Sequence, residues 1–212
     1  FVHVFTTTVV MANEWQQVVR IDGRAGTRNS IGVDLMVPLA QDEDSLLFAD
    51  IRGVAANDPS REGNLGIGYR WIPDESNAIV GLYAFADRRQ TASGNLWDQI
   101  TTGVEWIGET TDVRLNAYFP RTERQLASSV VDDQIVVSGT TLIYEDALLQ
   151  TYETALAGFD AGITHKLDRL GGDTRLTLRG FHFSAEDVPA VTGANLRLET
   201  RIHDVLNTPG AQ

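Results

Sequence analysis

The residues of this 212-residue chain best placed to do chemistry are His182 and Ser184, with Asn195 further along. Positions i and i+2 of a strand share a face, so Ser184 could act as a nucleophile activated by His182, with Asn195 orienting the ring. A His-x-Ser pair at the end of a strand is more often a pair of rim residues, and no catalytic residue is assigned. His3, His165 and His203 are too scattered to ligate one metal ion, and no metalloprotease, phosphate-loop or dinucleotide fingerprint occurs. With no cysteine there is no thiolate ligand, disulfide framework or cysteine nucleophile. The acidic run from Gln41 to Asp44 lacks the spacing of a calcium loop and reads as a solvated turn. Gly63, Gly66 and Gly68 in GNLGIGYRW are not followed by a helical pattern that would present amides to a phosphate. They are expected to allow sheet curvature. Neither a metal nor a cofactor is expected.

A larger set of charged and polar residues shares one property: each falls on the polar side of an alternating segment. It comprises Arg20, Asp22, Arg24, Asp34, Asp50, Arg52, Arg70, Asp87, Glu105, Arg114, Asn116, Asp160, Arg179, Arg197, Glu199 and Arg201. Both signs are present. Such a face can pair across strands and stabilise a sheet, or it can hold an extended segment by polar contacts. Pairing is the commoner use of any one such residue.

Ten segments carry the alternation that positions this set, at residues 15–26, 31–39, 46–55, 63–72, 78–88, 97–107, 112–119, 157–167, 174–184 and 194–204. Apolar–polar alternation marks a strand with one apolar and one wet face. The seventh segment is the cleanest, with Val113, Leu115, Ala117 and Phe119 against Arg114, Asn116 and Tyr118. No run approaches 18 apolar residues, so a transmembrane helix is excluded while a transmembrane strand is not. Segments of about nine to eleven residues suit a tilted strand crossing a bilayer. Lipid cannot satisfy open strand edges, so such strands must close into an antiparallel, up-and-down transmembrane β-barrel. The links at 40–45, 73–77, 108–111 and 168–173 read as tight turns, and those at 56–62, 89–96, 120–156 and 185–193 as longer outer loops. Tyr69, Trp71, Trp106 and Phe119, near strand ends on the apolar side, suit the lipid interface. A soluble β-sandwich would alternate in the same way, with those rings in its core, and is the competing fold.

Composition is consistent with this organisation. The 29 acidic against 17 basic residues give a net charge of -12. Binding phosphate would require a clustered basic excess, so no nucleic-acid partner is expected. The first ten residues lack the basic start and small-residue cleavage site of a secretory signal, so if the protein is exported its signal has been removed or lies outside this chain. Residues 1–14 are read as an N-terminal extension and 15–212 as one barrel domain.

Several phrases, in order, resemble the β-domain of inverse autotransporters, the family of intimin and invasin. They are IGVDLMVPL at 31–39, LLFADIRG at 46–53, NLGIGYRW at 64–71, GVEW at 103–106, LNAYFP at 115–120 and ALAGFDAGITHKL at 155–167. The resemblance implies a bacterial outer-membrane barrel of twelve strands, about two more than the ten segments supply. It also implies that the barrel anchors and helps translocate an adhesin-type passenger, with the lipid bilayer, the barrel-assembly machinery and the passenger segment as partners. The alternative reading is a stand-alone outer-membrane channel or structural barrel. The Ser184, His182 and Asn195 set is also similar to that of outer-membrane phospholipases, although the surrounding phrase does not match.

Between the seventh and eighth segments lies a long insertion, residues 121–154, containing SSVVDDQIVVSG and TTLIYEDALLQTYETAL. The second piece has apolar spacing compatible with a short helix capped by Thr140 or Thr141. Loops of this length are commonly functional or disordered. It can fold inward as a plug, cover the outer mouth, or stand above the membrane as a hairpin.

Overall fold

The structure is a computed structural model that describes residues 2–4, 15–26, 29–121, 124–138, 140–167 and 173–201. The described residues form strands β1 (Val2–Val4), β2 (Val18–Ala25), β3 (Ser30–Gln41), β4 (Ser45–Ala56), β5 (Arg61–Trp71), β6 (Ile79–Gln90) and β7 (Leu96–Ile107). These are followed by β8 (Thr111–Pro120), β9 (Arg124–Ser138), β10 (Thr141–Thr154), β11 (Ala157–Lys166), β12 (Asp173–Ala185) and β13 (Val188–Arg201). Eleven of them build one antiparallel sheet in the order β1 to β8, then β11, β12 and β13, while β9 and β10 pair as a separate ribbon. Every alternating segment found in the sequence lies in the large sheet. β1, inside the stretch read as an extension, adds a strand by pairing with β2. Residues 5–14 and 202–204 lie outside the described ones.

Register carries the alternation across the whole sheet. Leu65 stands opposite Ile51 on one side and Ala86 on the other. Ala86 continues to Ile100, and Ile100 to Phe119. The polar positions form the intervening rows, with Arg70 opposite Gly81 and Gly81 opposite Glu105. Side chains on the polar face meet across intervening strands: Arg70 Nε reaches Glu105 Oε1 at 2.6 Å over β6, and the Tyr83 hydroxyl reaches Asn116 Oδ1 at 2.5 Å over β7. Such contacts require the sheet to curl with its polar face concave. Among the described residues no ladder joins β13 to β1 or β2.

Burial is reversed relative to a soluble sheet. Leu65 is 58% exposed and Leu196 69% on the convex face, whereas Glu105 is 3% and Asp160 4% exposed on the concave one. A contiguous aliphatic face of this extent is costly in water and suits a hydrocarbon solvent.

Four connections differ from the sequence reading. Residues 141–154 are a strand: β9 offers β10 a partner along its entire length, from Thr141 against Ser138 to Thr154 against Arg124. Cross-strand pairing overrides the helix-compatible spacing. The stretch 185–193, read as a long loop, contains only a two-residue turn at Glu186 and Asp187, with Asp187 at φ 58°, before β13 begins. Pro189 lies in β13, which among the described residues has a neighbour on one side only, where a missing N–H is tolerated. The contrast between short and long ends reduces to the β9–β10 insertion, since β4–β5 and β6–β7 are joined through 57–60 and 91–95. The polar residues Arg89 and Gln90 extend β6 beyond the alternating stretch, because a backbone ladder needs no apolar side chain. The turn at 168–172 lies outside the described residues.

Local chemistry fixes the tight turns. Asp42 Oδ1 accepts hydrogen bonds from the amides of Asp44 at 3.0 Å and Ser45 at 2.6 Å, so the acidic run is a capped turn. A hydrogen bond from the Ser45 side chain, together with these amides, holds the Asp42 carboxyl below its usual range. In the β6–β7 turn Gly94 has φ 91°, which a side chain would strain.

Candidate functional site

The concave face gathers charges into clusters that strand parity alone could not specify. Glu105 is clamped between two guanidinium groups, with Arg70 Nε at 2.6 Å and Arg114 Nε at 3.2 Å. Asp160 accepts from Asn116 Nδ2 at 2.9 Å and the Tyr118 hydroxyl at 2.5 Å, with Arg179 Nε at 3.8 Å. Asp87 accepts from Asn64 Nδ2 at 2.5 Å, from Gln99 Nε2 at 3.4 Å and from the Thr101 hydroxyl. Towards the sheet edges Arg20 meets Asp34 at 3.6 Å, and Arg197 meets Glu199 of its own strand at 2.6 Å. Asp50 and Arg52 share this face opposite Gly66 and Asn64. Asp22 and Arg24 pair with Gly32 and Ser30, and the backbone of Arg201 pairs with Asp173. The arrangement is mostly one of paired opposite charges and carries no obvious reaction chemistry.

Aromatic rings fill the space beside these clusters by sitting over glycines. An added Cβ would lie 2.2 Å from Phe85 at Gly66, 2.2 Å from Phe48 at Gly68 and 2.4 Å from Tyr83 at Gly103. The role of Gly66 and Gly68 is therefore to admit a neighbouring ring, while Gly63 has nothing within 4 Å. Arg70 extends over the Phe48 ring at 4.7 Å, joining the aromatic layer to the Glu105 clamp. Strand parity placed these rings on the polar side, but their use as packing partners of glycines needed the register.

Beside this layer the concave face encloses a cavity of about 770 Å³, bordered by Asp34, Asp50, Arg89 and Tyr118. The segment that leads out of the β9–β10 ribbon, from Glu153 to Leu156, borders it as well. Glu153 is seated in the β6–β7 turn and accepts from Thr91 at 2.8 Å, Ser93 at 2.6 Å and Asn95 at 3.1 Å. These donors hold its carboxyl below the usual range. Gln125 Nε2 donates to the Leu96 carbonyl at 2.5 Å, and Asn95 Nδ2 to the Leu126 carbonyl at 3.0 Å. The insertion is thus a hairpin fastened at its base, with the strap behind it beside the cavity. Glu153 was not singled out in the sequence, where nothing links it to a turn about sixty positions away.

The convex face carries the four aromatics expected at strand ends. Tyr69 and Trp71 stack at 5.7 Å, and Trp71 and Trp106 both pair with Val80 of β6, so these three rings gather at one end of the sheet. Phe119 lies towards the other end, opposite Ile100. His182 belongs to this face too, its Nδ1 2.7 Å from the Thr192 hydroxyl and its ring 5.8 Å from that of Phe159. Asn195 pairs with Arg179 and lies on the opposite face. It cannot orient His182, and the triad arrangement is not formed.

A family model described as inverse autotransporter, beta-domain, matches residues 4–193. The chain belongs to this family. Inverse autotransporter β-domains are embedded in the bacterial outer membrane, where they serve secretion and adhesion as anchors. One solved structure, described as "Unveiling the Mechanism Behind the in-meso Crystallization of Membrane Proteins", is similar at a TM-score of 0.55 and 16% identity. The match covers 77% of this chain and 58% of that one, so the β-domain spans less than two thirds of the solved chain. At that identity the likeness concerns the fold alone. No curated protein matches.

Proposed function

We propose that this inverse autotransporter β-domain sits in the outer membrane as a closed barrel that anchors a passenger and helps carry it across. The observation that carries the reading is the reversed burial: aliphatic side chains exposed on the convex face, carboxylates buried on the concave one. In lipid the convex face is solvated by acyl chains, and Tyr69, Trp71, Trp106 and Phe119 lie at the headgroup levels. The edges at β13 and at β1–β2 are then joined, directly or through further strands, because an open ladder in hydrocarbon leaves backbone groups unsatisfied. The concave face becomes the lumen wall, lined by Arg20, Asp22, Arg24, Asp34, Asp50, Arg52, Arg70, Glu105, Arg114, Asn116, Asp160, Arg197, Glu199 and Arg201. Its paired charges offer an extended segment polar contacts without a single-signed trap. Folding through the barrel-assembly machinery follows from this architecture, and no enzymatic step is assigned to it.

The test is an epitope reporter placed in the passenger of the full-length protein in intact cells. Surface labelling of the reporter that depends on the β-domain is the expected result. A folded β-domain in the outer membrane, with the reporter retained inside the cell, would refute translocation while leaving the anchor intact.

A further inference from the structure

The β9–β10 ribbon has features that neither the sheet nor the anchoring role uses. A two-stranded hairpin is marginally stable in water unless its apolar faces are covered by another element. This ribbon exposes aliphatic side chains on both faces. Val130 pairs with Leu149 and Val131 with Leu148, adjacent rungs whose side chains point to opposite sides, and all four are more than half exposed. Each strand of the ribbon has one strand neighbour among the described residues, so each presents one open edge. The described hydrogen bonds between ribbon and sheet involve Gln125, the Leu126 carbonyl and Glu153, all at its base.

Its charge selects the occupant. Between Gln125 and Tyr152 the sequence has Asp132, Asp133, Glu145 and Asp146, and no Lys, Arg or His. Register sets Asp133 directly opposite Asp146, two rungs from the Val131–Leu148 pair and two from Ile135–Tyr144. Four acids with no basic residue in this stretch make the ribbon negative, and a basic segment complements it in charge. A second copy would bring four more acids against these, and an anionic lipid surface would be repelled likewise. We infer that the ribbon is a docking surface for an extended polypeptide segment in which a basic side chain alternates with aliphatic ones, added along an open edge as a third strand. That the partner comes from outside the cell rests on the outer-membrane reading; the docking chemistry itself does not.

The experiment uses the purified chain in detergent and fluorescein-labelled alternating peptides of Val–Lys, Val–Glu and Ser–Lys, followed by anisotropy. Val–Lys is expected to bind and to weaken as salt rises, with Val–Glu not binding and Ser–Lys binding at least about tenfold more weakly. The double variant Asp133→Asn/Asp146→Asn and, separately, Val131→Thr/Leu148→Thr should each reduce Val–Lys affinity by about tenfold or more. Retained heat-modifiable migration of these variants in gels shows that the sheet is intact. Equal binding of Ser–Lys and Val–Lys would reduce the effect to ion exchange and overturn the proposal. So would unchanged affinity in both double variants, or ribbon-dependent dimerisation without peptide binding. Protease shaving of intact cells reads the outer-membrane topology separately, so failure of that reading is distinguishable from failure of the docking chemistry.

Discussion

Replacing Glu105 by Gln tests whether the concave face is held by its paired charges. The substitution preserves shape but removes the negative charge between Arg70 at 2.6 Å and Arg114 at 3.2 Å. The two arginines do not count equally. Arg114 is 48% exposed, so its share belongs with surface pairs at no more than about 1 kcal/mol. Arg70 is 19% exposed against a Glu105 side chain at 2%, and removing one partner of a buried pair costs about 3–5 kcal/mol. Arg70 retains its position over Phe48, which favours the lower end, so the expected loss is about 3 kcal/mol. The assay is reversible urea unfolding in lipid vesicles, followed by tryptophan fluorescence. The double variant Arg70→Met/Glu105→Leu should recover at least half of the loss, because a matched apolar pair leaves no stranded charge. A loss below about 1 kcal/mol in Glu105→Gln would refute the reasoning and place the cluster among screened surface pairs.

Three further outcomes follow from other parts of the fold. Gly68→Ala, whose Cβ would lie 2.2 Å from Phe48, should cost about 1–3 kcal/mol in the same unfolding assay, and Phe48→Leu should relieve it. Brominated lipids should quench Trp71 and Trp106 but spare Trp97, which is 8% exposed beside the cavity; single-tryptophan variants read this directly. The depressed Glu153 carboxyl fastens the ribbon fully above its ordinary value of 4.5 and releases it as pH falls through the lower folded value. A spin label at a cysteine replacing Ser128, clean because the native chain has none, should gain mobility on acidification. Glu153→Gln should abolish that pH dependence.

The sheet was legible in the sequence because period-two alternation encodes each strand's two faces, and register cannot slip by one residue without exchanging them. Arg70, Glu105 and Arg114 could each be assigned to the polar face from Tyr69, Val104 and Val113 beside them. That these three form one clamp was not legible, since it depends on β6 lying between β5 and β7 and on the curl that brings alternate strands together. The ribbon was misread for a related reason. LIYEDALLQTY alternates too poorly to declare a strand, and its pairing with SSVVDDQIVV is a contact between two segments. The His182 arrangement failed on parity: on paired strands a face is decided by register, and Asn195 is an odd number of rungs from Thr192, the residue opposite His182.

Register also limits what the concave face can do if it lines a lumen, as proposed. Fixed cations and carboxylates that satisfy one another, as at Glu105 and Asp160, leave little free field for steering a charged segment. The aromatic layer of Phe48, Tyr83 and Phe85 instead occupies space, because glycines opposite let the rings lie flat against the wall. On the proposed function, passage of an extended chain past this layer is governed by bulk more than by charge. Enlarging the ring layer should slow reporter export, whereas exchanging the signs of a matched pair on the concave face, as in Arg20→Asp/Asp34→Arg, should leave it unchanged. A strong export defect from that charge exchange, with the barrel folded, would show that the wall acts through its field.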